Sequence, residues 1–178
     1  IESGAVSNDW VYVQVDARRA KWGDYDVPAF ARYLGLAAGD INGDGFEDIL
    51  SGRYVYLNSG KNMPRAWKRS EFGVNVDAML ALDVDGDGQT DVIAESLPAV
   101  YWLKPLDRNP ATWKTTTIGT VPATEHVNSQ GYALAQIVRG GRPEIVLTGG
   151  NGIYYFEIPE RPQAGNWPRK QIAAATSE

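Results

Sequence analysis

Short apolar runs return four at a time along this chain, and polar, glycine-rich stretches separate them. The first set is Gly35-Leu36-Ala37-Ala38-Gly39, Ile49-Leu50, Tyr54-Val55-Tyr56-Leu57 and the alternating Trp67-Lys68-Arg69-Ser70-Glu71-Phe72. The second is Ala78-Met79-Leu80-Ala81-Leu82, Val92-Ile93-Ala94, Val100-Tyr101-Trp102-Leu103 and Trp113-Lys114-Thr115-Thr116-Thr117-Ile118. A third follows the same order: Gly131-Tyr132-Ala133-Leu134-Ala135, Glu144-Ile145-Val146-Leu147, Ile153-Tyr154-Tyr155-Phe156 and Trp167-Pro168-Arg169-Lys170-Gln171-Ile172. These runs are of strand length, and alternation at period two marks a strand with one face covered. The pattern predicts an all-β chain of three four-stranded units, over about residues 34–73, 77–119 and 130–174. Ahead of them, Trp10-Val11-Tyr12-Val13-Gln14-Val15 reads as one extra strand from a preceding unit. Trp22 to Tyr33 reads as an irregular connection with a short helical turn after Pro28. No domain boundary interrupts residues 1–178.

The polar stretch between the first two runs carries the chemistry. It is Asp40-Ile41-Asn42-Gly43-Asp44-Gly45-Phe46-Glu47-Asp48 in the first unit and Asp83-Val84-Asp85-Gly86-Asp87-Gly88-Gln89-Thr90-Asp91 in the second. Loop positions 1, 3, 5 and 9 hold oxygen side chains: Asp40, Asn42, Asp44 and Asp48, then Asp83, Asp85, Asp87 and Asp91. Alternate acids in a tight loop turn their oxygens on one point, where a hard cation must cancel their repulsion. Ca²⁺ takes six to eight oxygens in flexible geometry, with a backbone carbonyl commonly supplied from position 7, here Phe46 and Gln89. Glycine at position 6, Gly45 or Gly88, permits the positive φ of a sharp reversal. An EF-hand would need Glu at position 12, and Ser51 and Ala94 stand there. The loops are therefore expected to be calcium-clamped turns between strands, two sites in all. Four carboxylates against three and an amide predict tighter binding in the second.

The third unit lacks that set. Its corresponding positions are Gln136, Val138, Gly140 and Glu144, so no ion is expected, and Arg139 or Arg142 is expected to pair with Glu144 instead. Successive loops start 43 and 53 residues apart, at Asp40, Asp83 and Gln136. Units of that period with four strands each indicate β-propeller blades.

Composition adds limits. The formal charge is −5, and two bound Ca²⁺ would bring it to −1. The acidity thus belongs to the ion loops and argues against a nucleic-acid partner. Absence of cysteine excludes disulfides and thiol chemistry. No apolar run approaches the length of a membrane span. Loops that hold Ca²⁺ in the millimolar range suit extracellular or periplasmic fluid, which sets the expected location.

The motif Asp-x-Asn/Asp-Gly-Asp-Gly-x-x-Asp followed by aliphatic residues resembles the FG-GAP/VCBS repeat family, over roughly residues 30–175. The resemblance implies calcium-stabilised propeller blades, as in integrin α-subunit heads, secreted lectins and propeller-based sugar lyases and dehydratases. It implies the eight side-chain ligands named above. A propeller closes with four blades or more, so this chain is expected to be a fragment of a larger ring of further blades, with completion by a second copy and an open array as the other readings.

The expected function is a secreted, calcium-stabilised module that binds a glycan or a protein, without catalysis of its own. The alternative is the propeller scaffold of a carbohydrate-active enzyme, a polysaccharide lyase or sugar dehydratase. For that alternative the chain offers only His126 with Tyr132, and the favoured reading of His126 is a hydrogen-bonded loop residue. Trp10, Trp67, Trp113 and Trp167 recur at one place in the unit and are expected to pack, as are Tyr56, Tyr101 and Tyr154. Trp22, Tyr25 and Trp102 fall outside those columns and are candidate stacking platforms for a sugar ring. Arg18-Arg19-Ala20-Lys21 reads as a solvated loop on which a uronate could dock.

Overall fold

The computed structural model describes residues 19–22, 25–28, 35–60, 67–108, 110, 112–123 and 131–174, the first two stretches by their backbone alone. Strands β1 (Arg19–Trp22) and β2 (Tyr25–Pro28) form an antiparallel hairpin. This corrects two expectations. The basic cluster enters a strand instead of a loop, and the irregular connection begins as a hairpin. Trp22 pairs with Tyr25, and the two residues between them lie outside the described residues. The extra strand over 10–15 and the turn after Pro28 lie outside the described residues, as does His126.

Three four-stranded antiparallel sheets follow, and none closes on itself. The first holds β3 (Leu36–Gly39), β4 (Asp48–Ser51), β5 (Tyr54–Leu57) and β6 (Lys68–Glu71). The second holds β7 (Asp77–Leu82), β8 (Asp91–Ser96), β9 (Ala99–Pro105) and β10 (Trp113–Thr120). The third holds β11 (Tyr132–Ala135), β12 (Glu144–Gly149), β13 (Gly152–Phe156) and β14 (Arg169–Ala174). In each, sequence neighbours are spatial neighbours, the arrangement that short turns between short strands produce. Among the described residues there is no α-helix, and so no helix long and apolar enough to cross a membrane.

Side-chain alternation stacks the sheets. Val92 and Ala94 of β8 join Ile41, Leu50 and Val55 in one core cluster, while Ile93 between them joins Ile145, Leu147 and Phe156 in another. The second sheet is thus covered on both faces, which is why β8 is buried along almost its whole length. A strand covered on both sides reads as a continuous apolar run, unlike its half-covered neighbours. Leu50, Val55, Ile93, Leu103, Ile145 and Leu147 are fully buried, each stabilising by about 1.5–3 kcal/mol relative to exposure.

The leading strands of the sheets lie together. Ala78 N–H donates to the Gly52 carbonyl at 2.9 Å, and Gly35 N–H to Asp77 Oδ2 at 2.8 Å. The Tyr132 hydroxyl of β11 accepts from Leu36 N–H at 2.9 Å and donates to its carbonyl at 3.2 Å. Gly35 is needed for the approach, because a Cβ there would sit 2.0 Å from the Ala78 carbonyl oxygen. Gly35→Ala should therefore cost roughly 1–3 kcal/mol, the usual range for overpacking, read as a lowered thermal midpoint. An unchanged midpoint would mean that β3 and β7 are not so close.

Candidate metal centre

Both acidic loops join the first and second strands of their sheets, and they share one hydrogen-bond scheme. Asp40 Oδ1 accepts Gly43 N–H and Asp44 N–H at 2.8 and 3.0 Å, and its Oδ2 accepts Gly45 N–H at 2.8 Å. Asp83 does the same with Gly86, Asp87 and Gly88 at 2.7, 3.2 and 2.8 Å. Gly45 and Gly88 take φ of 88° and 82°, as the reversal requires. At the far end, Asp48 Oδ2 accepts Ile41 N–H at 3.0 Å, and Asp91 Oδ2 accepts Val84 N–H at 3.1 Å. Position 1 thus winds the loop and position 9 clamps it shut, which accounts for aspartate at both.

The third loop keeps only the clamp. Glu144 Oε2 accepts Ile137 N–H and Val138 N–H at 2.7 and 3.1 Å. Gln136 donates its amide to the carbonyls of Val138 and Gly140, the reverse of what Asp40 and Asp83 do. The expected pairing of Arg142 with Glu144 is corrected: its guanidinium donates to the Val84 carbonyl of the second loop. Backbone amides already satisfy Glu144, so the cation is free to reach the more acidic neighbour.

The two acidic loops differ in detail. In the second, ligand atoms of Asp83, Asp85 and Asp91 lie within 4.8 Å of one another, a group that can hold a metal ion. Asp91 is fully buried, and its Oδ1 has no hydrogen-bond partner. An orphaned buried carboxylate oxygen beside two other carboxylates suits an ion, since burial without a partner is costly. In the first loop the matching oxygen, Asp48 Oδ1, accepts Asn58 N–H at 2.8 Å. Ile49 pairs with Tyr56, as Val92 does with Leu103, so the position of Asn58 falls to Pro105, which has no N–H to give. Burial pushes the carboxyls up in both sheets, Asp48 to about 6 and Asp91 to about 7. The Trp102 indole lies near Asp91 and, with the charge of Lys104, opposes this rise, without closing a hydrogen bond.

Asp87 does not join the group of three. Its Oδ1 accepts Gln89 N–H at 2.9 Å, while its Oδ2 meets the Lys104 ammonium at 2.5 Å. That bond holds the Asp87 carboxyl below its ordinary value. Lys104 also lies 2.8 and 2.7 Å from the two oxygens of Asp85. Burial lowers its pKa, but these bonds outweigh that and raise it overall. The sequence pattern of acids and glycines missed this lysine, because it enters from β9. Strand pairing could have found it, since Lys104 follows Leu103, the partner of Val92.

In the first loop Asn42 Nδ2 donates to Asp44 Oδ2 at 2.9 Å, and Phe46 N–H to Asp44 Oδ1 at 3.0 Å. The Phe46 ring lies against Gly60, where a Cβ would come 2.1 Å from it. Gln89, at the same loop position, donates its side-chain amide to the Asp107 carbonyl at 3.3 Å.

The candidate sugar platforms fare differently. Trp102 is corrected: it is 1 % exposed, in the core between the second and third sheets, 6.2 Å from Trp167 by ring centroids. Paired with Ile93 and followed by Leu103, whose side chain enters the other core cluster, it stands on a strand covered on both faces and has no route to solvent. The side chains of Trp22 and Tyr25 lie outside the described residues. Trp167 is buried and Trp113 packs edge-on to Phe72, both as packing residues should. Tyr56 and Tyr154 are buried too, and Tyr101 packs against the first core cluster.

Fold and site together define an all-β chain of three stacked four-stranded sheets, with an acidic loop able to hold a metal ion. No protein-family model matches the sequence, and no curated protein matches it either.

Proposed function

We propose that this chain is a calcium-stabilised segment of a β-propeller of the FG-GAP/VCBS kind, secreted, and serving to bind a glycan or protein ligand. Two Ca²⁺ ions occupy the loops, one through Asp40, Asn42, Asp44, Asp48 and the Phe46 carbonyl, the other through Asp83, Asp85, Asp87, Asp91 and the Gln89 carbonyl. One observation carries the reading: position 1 and position 9 make the same hydrogen bonds at the same place in consecutive sheets. A loop repeated at that level of detail, with oxygens at alternate positions, suits a hard cation that prefers oxygen donors. The ion's work is structural. It joins the first two strands of a sheet and fixes their register, leaving ligand recognition to loops at the rims of the assembled sheets.

Calorimetric titration with Ca²⁺ tests the proposal. Two binding events are expected in the parent, with one lost in Asp40→Ala and the other in Asp83→Ala. With Kd about 10⁻⁴ M and 2 mM free ion, each site adds roughly 1.8 kcal/mol of stability. No heat of binding and no thermal shift on adding Ca²⁺ would overturn it.

A further inference from the structure

The second loop carries its own competitor for the ion, and this inference rests on the calcium reading above. Lys104 bridges both oxygens of Asp85 at 2.8 and 2.7 Å and reaches Asp87 Oδ2 at 2.5 Å. Its side chain is 21 % exposed and that of Asp85 only 12 %, so solvent screens the contact little. One ammonium thus occupies both oxygens of a ligand carboxylate and one oxygen of another. The charge of Lys104 acts on Asp91 as well.

Among the described residues no cation forms an ion pair with an acid of the first loop, although the Arg108 guanidinium lies beside Gly43 there. The strand register places Leu57 where Lys104 stands in the second sheet. The exchanges match in charge: Asn42 and Leu57 in the first sheet, Asp85 and Lys104 in the second. Four carboxylates less one ammonium leave −3 among the second loop's paired groups, equal to three carboxylates in the first, and each loop has one guanidinium beside it, Arg142 at Gly86 and Arg108 at Gly43. The fourth carboxylate therefore adds no net attraction for a divalent ion, and two of the four must first give up an ion pair.

The geometry points to Lys104 as the residue that sets the affinity of the second loop, an internal ammonium that Ca²⁺ has to displace. The order expected from counting carboxylates is then reversed. The first loop is the tighter site and fills first, and the second fills only at higher Ca²⁺. The lysine also offsets part of the second loop's negative charge at low Ca²⁺, which favours the turn before the ion arrives.

Nuclear magnetic resonance resolves the two sites. The Gly45 and Gly88 amides donate to Asp40 and Asp83 respectively, so each reports on its own loop during titration with Ca²⁺. In the parent, Gly45 should respond at lower Ca²⁺ than Gly88. Lys104→Met should move the Gly88 midpoint down about 10- to 100-fold and leave that of Gly45 in place. Such factors suit removal of a unit charge in contact with the ligands at intermediate dielectric. Asp85→Asn alone should weaken the Gly88 site less than about threefold, yet roughly tenfold or more in the Lys104→Met background, a coupling that a double-mutant cycle isolates.

A Gly88 midpoint unmoved by Lys104→Met, with both sites still binding, overturns the role of the lysine and leaves the calcium reading standing. Should Lys104→Met fail to fold, Asp85→Asn decides alone, and a loss beyond about threefold overturns the inference. If neither glycine responds to Ca²⁺ in the parent, the calcium reading itself fails and the inference with it.

Discussion

Asp91→Asn is expected to stabilise the metal-free protein at pH 8 while abolishing the calcium response of the second loop. Asp91 is fully buried, and burial lifts its carboxyl from 3.8 to about 7. The folded state thus holds the proton more tightly than the unfolded state does. Stability from this residue is highest below about pH 4, falls as pH rises towards 7, and is level above that. Asp48, raised to about 6 by the same cause, acts in the same direction. A tenfold difference in proton affinity between the two states corresponds to about 1.4 kcal/mol. The charge on Asp91 therefore costs the apo protein on the order of 2–4 kcal/mol at pH 8.

Asparagine removes that charge and keeps an oxygen for the Val84 N–H. In chelator, the variant should melt above the parent at pH 8, with the gap closing at pH 4. Adding 2 mM Ca²⁺ should then raise the parent by both sites and the variant by one. The missing share, about 1.8 kcal/mol, corresponds to roughly 4–7 °C for a chain of this size. A variant less stable than the parent in chelator at pH 8 would show that Asp91 is not an uncompensated buried charge. An undiminished calcium response would remove it from the ligand set.

Trp102→Ala is expected to cost about 3–5 kcal/mol, the range for truncating a buried tryptophan. The ring closes the core between the second and third sheets with Met79, Ile93, Ile118, Ile145 and Phe156. Its loss should lower the thermal midpoint steeply, and added sugar should not restore it. The opposite outcome, a normal midpoint with weakened glycan binding, would put the ring at a surface and reinstate it as a stacking platform. Trp113→Ala makes a useful contrast, since that ring is only half-buried and its removal should cost less.

Strand-length apolar runs and their order were legible because period-two alternation follows from the geometry of an extended chain. Asp40, Asp48, Asp83 and Asp91 were legible as a loop scheme because short-range hydrogen bonds within nine residues leave a fixed residue pattern. The hairpin of β1 and β2 was not legible, because its basic and aromatic residues read as loop.

What the sequence by itself determined is local: three sets of four strands, glycine at the reversal of each acidic loop, and acids spaced so that their oxygens converge. Period two, backbone sterics and Coulomb repulsion act over a few residues, and each leaves its mark in the order of the chain. The tertiary structure alone decided which sheet is covered on both faces, and so that Trp102 is core while Trp113 is half-exposed. It alone brought Lys104 from β9 onto Asp85 and Asp87, and carried Arg142 from the third sheet to the second loop. Charge acts through space, so the affinity of an acidic loop depends on cations that strand pairing and sheet stacking bring to it, wherever they stand in the chain.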